Sequence, residues 1–85
     1  MLEVTEMILA SINAQPGIKQ GEIYELPYLK TISDYGISFS ISELLRRDLI
    51  KDTFYGKPGL HGSTAFKYSA TKKGKKYLEE HGYLD

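Results

Sequence analysis

Residues 64–74 read TAFKYSATKKG, and within that stretch the periodicity of the chain changes. Phe66, Tyr68 and Ala70 alternate with Lys67 and Ser69, the pattern of a half-buried strand. Thr71 follows as a natural helix N-cap, and KKGKKYLEEHGYLD (72–85) continues with Tyr77 and Leu78 at helical spacing until Gly82, where a helix takes its left-handed stop. A strand running directly into a capped helix needs a partner strand. The segment LIKDTFY (49–55) supplies one, because it also alternates and is rich in β-branched and aromatic residues. Between the two lies YGKPGLHGS (55–63), whose glycines and proline close a hairpin.

Working back toward the N-terminus, YGISFSISELLRRDLI (35–50) presents a glycine turn at Gly36, then Ser38, Ser40 and Ser42 as candidate N-caps. A helix follows with Ile41, Leu44 and Leu45 inward and Ser42, Glu43, Arg46 and Arg47 largely on the other side. Leu2, Val4, Met7, Ile8 and Ile12 predict a first helix over about 3–14, stopped by QPG at 15–17. In IKQGEIYELPYLKTISDYG (18–36), Ile18, Ile23, Leu26, Leu29 and Ile32 keep helical spacing but Pro27 interrupts it, which predicts two short helices over about 19–26 and 28–34. Among the aromatic residues, Tyr24, Phe39, Phe54, Phe66 and Tyr68 fall on apolar phases and are expected in the core, whereas some of Tyr28, Tyr35, Tyr55, Tyr77 and Tyr83 are candidates for the surface.

The 85 residues, 41% hydrophobic and 26% charged, describe one globular domain, residues 1–85, that is neither disordered nor membrane-embedded. No apolar run approaches the roughly 20 residues of a bilayer span, and the first residues carry acids where a signal peptide carries bases; a cytoplasmic location is expected. The absence of cysteine excludes disulfides, thiolate nucleophiles and cysteine-bearing zinc modules. His61 and His81 stand alone without metal-ligand spacing, and no nucleophile elbow, P-loop or dinucleotide fingerprint occurs, so an enzyme, a metal site and a cofactor are not expected. Net charge is zero but split: residues 1–45 hold two bases against six acids, and residues 46–85 nine bases against five acids. A basic half points toward a polyanion, whereas the neutral balance and acidic first half suit a protein partner.

The order of elements, with GISFSISELLRRDLI followed by a hairpin and SATKKGKKYLEE, resembles the winged helix-turn-helix domains of small prokaryotic transcription regulators such as the PadR and MarR families. The resemblance runs from about Val4 to Glu80. It is most specific where Phe66, Tyr68, Ala70, Thr71, Lys72, Lys73 and Gly74 match the junction of second wing strand and last helix; ELLRRDLIKD resembles a recognition helix entering the first wing strand. The chain departs from those families in reaching Leu49 and Ile50 directly from Arg46, Arg47 and Asp48, where several more residues and often a glycine are usual. It departs also in a longer, Pro27-containing segment before the recognition helix.

The resemblance implies an α+β winged helix: a three-helix helix-turn-helix core, a two-stranded β-hairpin wing and a C-terminal helix. It also implies a homodimer on duplex DNA, with helix 1 and residues 71–85 at the dimer interface; with no ligand domain read in the sequence, no small-molecule ligand is expected. On that frame Ser40, Ser42, Glu43, Arg46 and Arg47 face the major groove, since arginine pairs bidentately with guanine and serines near a helix start suit phosphates. Lys57 and His61 at the wing tip, with Lys67 on its second strand, meet the adjacent backbone or minor groove. Plainer alternatives stand beside these readings. The glycine-rich loop closes a hairpin and no more, Arg46 and Arg47 pair with Glu43 or Asp48 on a solvated face, and Lys72, Lys73, Lys75 and Lys76 are offset by Glu79 and Glu80 rather than by phosphate. A winged helix that binds another protein instead of DNA is the rival function.

Overall fold

The computed structural model describes residues 3–54 and 66–83. Helix α1 (Glu3–Ala14) buries Thr5, Ile8, Leu9 and Ile12, one face at helical spacing, and carries Glu3 and Glu6 in its first turn, where acids suit the helix dipole. The chain leaves it through Gly17, whose φ of +83° is left-handed, and enters a two-residue strand β1 (Ile18–Lys19). Helix α2 (Gln20–Tyr24) and a 3-10 turn (Pro27–Leu29) lead to helix α3 (Asp34–Arg46), then strands β2 (Ile50–Phe54) and β3 (Phe66–Ala70), and helix α4 (Lys72–Glu80).

The sheet has three strands in the order β1, β3, β2, all antiparallel. Ile18 stands opposite Tyr68, and β2 runs along β3 from Ile50 opposite Ala70 to Phe54 opposite Phe66. The expected wing strands are thus paired, and β1 adds a third strand beyond the expected two. Two residues are too few to show a period of their own, so β1 exists only by virtue of its neighbour.

The region around Pro27 also differs from expectation. The helix expected over 19–26 is shortened to α2 because Lys19 belongs to β1, where its amide donates to Glu22 Oε1 at 2.9 Å. The helix expected over 28–34 is only the 3-10 turn, with Pro27 at its start, where a missing amide costs nothing. Ser33 ends that region: its hydroxyl accepts from the Gly36 amide at 3.1 Å and caps α3. Gly36 therefore lies inside the first turn of α3, and Ser38, Ser40 and Ser42 are mid-helix rather than caps.

The core gathers Ile8, Leu9 and Ile12 of α1, Ile23 of α2, Ile37, Ile41 and Leu44 of α3, Ile50 and Tyr68 of the sheet and Leu78 of α4, with Leu29 and Leu49 from the connections. Phe39 and Phe54, expected there, are 51% and 50% exposed. Phe54 sits at the end of β2 and meets Phe66 edge to face at 5.5 Å, a pair that shields one ring face without burying it. Phe39 is turned out by the phase of α3.

Two contacts set α3 in place. Asp48, with φ of +62°, takes a left-handed position that ordinarily favours glycine, and the Leu49 amide bonds back to the Leu44 carbonyl at 3.0 Å. Thr71 then ties this corner to α4: its hydroxyl donates to the Asp48 carbonyl at 2.7 Å and accepts from the Gly74 amide at 3.0 Å. The N-cap read at Thr71 and the helix stop at Gly82, with φ of +80°, are both present.

Candidate nucleic-acid interface

Helix α3 divides cleanly. Ile37, Ser40, Ile41 and Leu44 are buried, whereas Tyr35, Phe39, Ser42 and Arg46 are exposed and follow one another at intervals of four, three and four residues. Such spacing makes a single stripe along the outer face, roughly 16 Å from first to last residue at 1.5 Å per residue.

Ser40 does not belong to that stripe. It is 2% exposed and accepts a hydrogen bond from the Thr5 hydroxyl at 3.0 Å, linking α3 to α1 inside the core. Its assignment to a DNA groove is therefore corrected: three residues after Ile37 and one before Ile41, it shares their inward phase. Ser42 and Arg46 do lie on the outer face.

Glu43 sits between the two arginines, accepting from Arg46 Nη2 and, at 2.6 Å, from Arg47 Nε. Those hydrogen bonds, Arg46's first, hold the Glu43 carboxyl below its usual range. The pairing that the plainer reading foresaw is thus the one present, and it leaves each outward guanidinium partly neutralised by its own helix.

Lys67 lies on β3 between Lys19 and Thr53. Partners in an antiparallel sheet share a face, so Lys19, Lys67 and Thr53, together with the neighbouring Lys51 and Ser69 pair, lie on the side away from the buried Ile18, Ile50 and Tyr68. Three lysines on one sheet surface form a basic area, with Lys19 and Lys67 directly opposed. Lys57 and His61 fall outside the described residues.

A chain of side-chain hydrogen bonds fixes α3 relative to the sheet. The Tyr68 hydroxyl donates to Gln20 Oε1 at 2.7 Å, Gln20 Nε2 donates to the Tyr24 hydroxyl at 3.1 Å, and that hydroxyl pairs with Ser38 Oγ at 2.5 Å. Burial, aided by the nearby Asp52 charge, pushes the Tyr68 hydroxyl up to about 12, so it remains a donor throughout the ordinary pH range. Among the described residues no group of three or more histidine, cysteine or acidic side chains is arranged to hold a metal ion.

Tyr35, a candidate for the surface, is exposed as expected, whereas Phe39 is what the sequence reading missed. Phe39 lies about 200° around the helix from Ile37, opposite the inward face. The signal was present in Ser33 with Gly36 three residues later: a helix started there, with Ile37, Ile41 and Leu44 inward, places Phe39 outside.

No family model matches the chain, and no curated protein sequence matches it. Solved structures do. One is a crystal structure of MarR, 17% identical with a TM-score of 0.74, covering 95% of this chain and 54% of the other. Another is a cysteine-to-serine mutant of ZitR from Lactococcus lactis, 23% identical with a TM-score of 0.70, covering 96% of this chain and 51% of the other. The fold is therefore a MarR-type winged helix, and the chain spans about half the length of these structures.

Proposed function

We propose that the protein is a duplex-DNA-binding transcription regulator in which α3 enters the major groove and the β2–β3 hairpin meets the adjacent backbone or minor groove. The observation that carries this reading is the exposed stripe of α3, held rigidly by the Ser33 cap, the Asp48 corner and the Tyr68–Gln20–Tyr24–Ser38 chain. Precise presentation of one helix face just before a hairpin is what groove readout requires. Within that stripe Ser42 and Arg46 supply polar contacts to bases and phosphates, with Glu43 and Arg47 beside them. Lys67 and, from the segment that follows β2 in the sequence, Lys57 and His61 supply backbone contacts. No cofactor or small-molecule ligand is required. A homodimer formed through α1 and the C-terminal residues would place two copies of α3 on half-sites about one DNA turn apart.

The test is a titration of the protein into mixed-sequence duplex DNA, followed by fluorescence anisotropy at about 50 and about 200 mM salt. Steep loss of binding with salt is expected, since each neutralised phosphate releases counterions. With the same assay, Arg46→Ala is expected to lose about 1–3 kcal/mol of sequence discrimination, and Lys57→Ala to weaken all duplexes alike. Equal losses on every sequence for both variants would refute the division of labour.

A protein-interaction module is the second reading, and two observations favour it: Glu43 engages both arginines of α3, and aromatic rings occupy half of the outer stripe. Folded protein that binds no duplex at about 50 mM salt would establish that reading over DNA.

A further inference from the structure

We infer that Tyr35 and Phe39 are specificity-determining residues that select thymine, by packing against its C5-methyl group in the major groove. This inference rests on the DNA-binding reading above and deepens it. Tyr35 is 81% and Phe39 51% exposed, and neither joins the hydrophobic core or its flanking shell. They stand one helical turn apart at the N-terminal half of α3, on the same stripe as Ser42 and Arg46. N-terminal residues of a recognition helix are the ones that reach base edges, so these rings occupy the deepest part of the proposed contact.

The chemistry of that position narrows the target. Phe39 has no donor or acceptor. Against guanine, adenine or cytosine it would cover hydrogen-bonding groups without satisfying them, whereas thymine alone among the four standard bases presents an apolar group on its major-groove edge. Tyr35 adds a second ring and a hydroxyl able to reach a phosphate or an acceptor on the neighbouring base. The pair of rings, which no core contact requires, thus fits a thymine-containing half-site next to whatever Arg46 reads.

The experiment begins by selecting tight-binding duplexes from a random-sequence pool with the wild-type protein. The selected duplex is then rebuilt with uracil in place of thymine, one position at a time, which removes only the methyl group. Wild-type protein is expected to lose about fourfold in affinity for each contacted methyl. Phe39→Ala should bind thymine and uracil forms alike at the position it reads, and Phe39→Leu should keep most of the preference.

Equal binding of both forms by wild-type protein would overturn the inference while leaving DNA binding intact. A Phe39→Ala variant that still prefers thymine at every sensitive position would assign the methyl effect to DNA shape and overturn it too. Failure to recover any bound duplex would overturn both the inference and the DNA-binding reading. A shift from dimer to monomer in Phe39→Ala, seen by sedimentation, would reassign the rings to an interface between copies of the chain. The wild-type comparison of thymine with uracil needs no variant, so it decides the matter even where a substitution harms folding.

Discussion

A Cβ on Gly74 would lie 2.0 Å from the Leu49 carbonyl oxygen and 3.0 Å from its carbon, both backbone atoms that cannot rotate away. Gly74→Ala must therefore push α4 off the corner between α3 and β2, and is expected to lower stability by about 1–3 kcal/mol in urea unfolding. Gly82 has nothing within 4 Å of its ideal Cβ, so Gly82→Ala should cost only the left-handed backbone penalty, about 1–2 kcal/mol. Asp48 offers the converse case. With φ of +62° it bears that penalty already, and Asp48→Gly is expected to raise stability by up to about 1 kcal/mol. Gly74 was legible as part of a strand-to-helix junction, but its reason was not: Leu49 is distant in sequence, and only the folded corner brings its backbone against the helix.

At the scale of elements, α2 is too short to hold itself and depends on what it touches. Gln20, 4% exposed, joins β3 to Tyr24 and so to α3. Gln20→Ala should leave the buried Tyr68 hydroxyl without its acceptor and cost about 1–3 kcal/mol, measured by chemical denaturation. On α3, Glu43→Gln removes the carboxylate shared by Arg46 and Arg47. On the DNA-binding reading it is expected to tighten binding to mixed-sequence duplex and steepen the salt dependence, with little change in thermal midpoint; weaker binding would show that Glu43 itself contacts DNA. The helical periods of α1 and α3 and the alternation of β2 and β3 were readable because each is long enough to show a repeat. The start of α3, and with it the facing of Ser40 and Phe39, was not, because the serines within it competed with Ser33 as starting points and only Ser33 engages an amide at the helix start.

Across the whole molecule, the two ends of the chain are clasped together. Glu6 of α1 accepts hydrogen bonds from the Tyr77 hydroxyl and, at 3.0 Å, from the Tyr83 hydroxyl, and His81 stacks on Tyr77 with ring centroids 3.9 Å apart. The bond from Tyr77 holds the Glu6 carboxyl below its usual 4.5, against a smaller opposing effect of desolvation and with help from Tyr83 and His81. A depressed carboxyl contributes stability above the unfolded value that is lost as pH falls through the folded one, so the clasp should weaken below about pH 4.5. Glu6→Gln, which still accepts but does not titrate, should flatten that acid limb in denaturation curves. The alkaline limb has the opposite sign. Tyr77, raised to about 12 chiefly by desolvation and then by Glu6, and Tyr68, raised to about 12 by burial, keep their protons in the fold after the unfolded chain has lost them near 10. Stability is therefore expected to fall as pH rises from about 10 toward 12.

By itself the sequence determined the order of the main helices and the wing strands, the cap at Thr71, the stop at Gly82 and the winged-helix assignment. These rest on local periodicity, capping and turn chemistry, which neighbouring residues decide among themselves. Only the tertiary structure decided that Ile18 and Lys19 form a strand, that Ser40 turns inward to Thr5, that Arg46 and Arg47 share Glu43, and that Phe39 faces outward beside Tyr35. A two-residue strand exists only against its partner, and the facing of each α3 side chain follows from how α1, the sheet and α4 close around that helix.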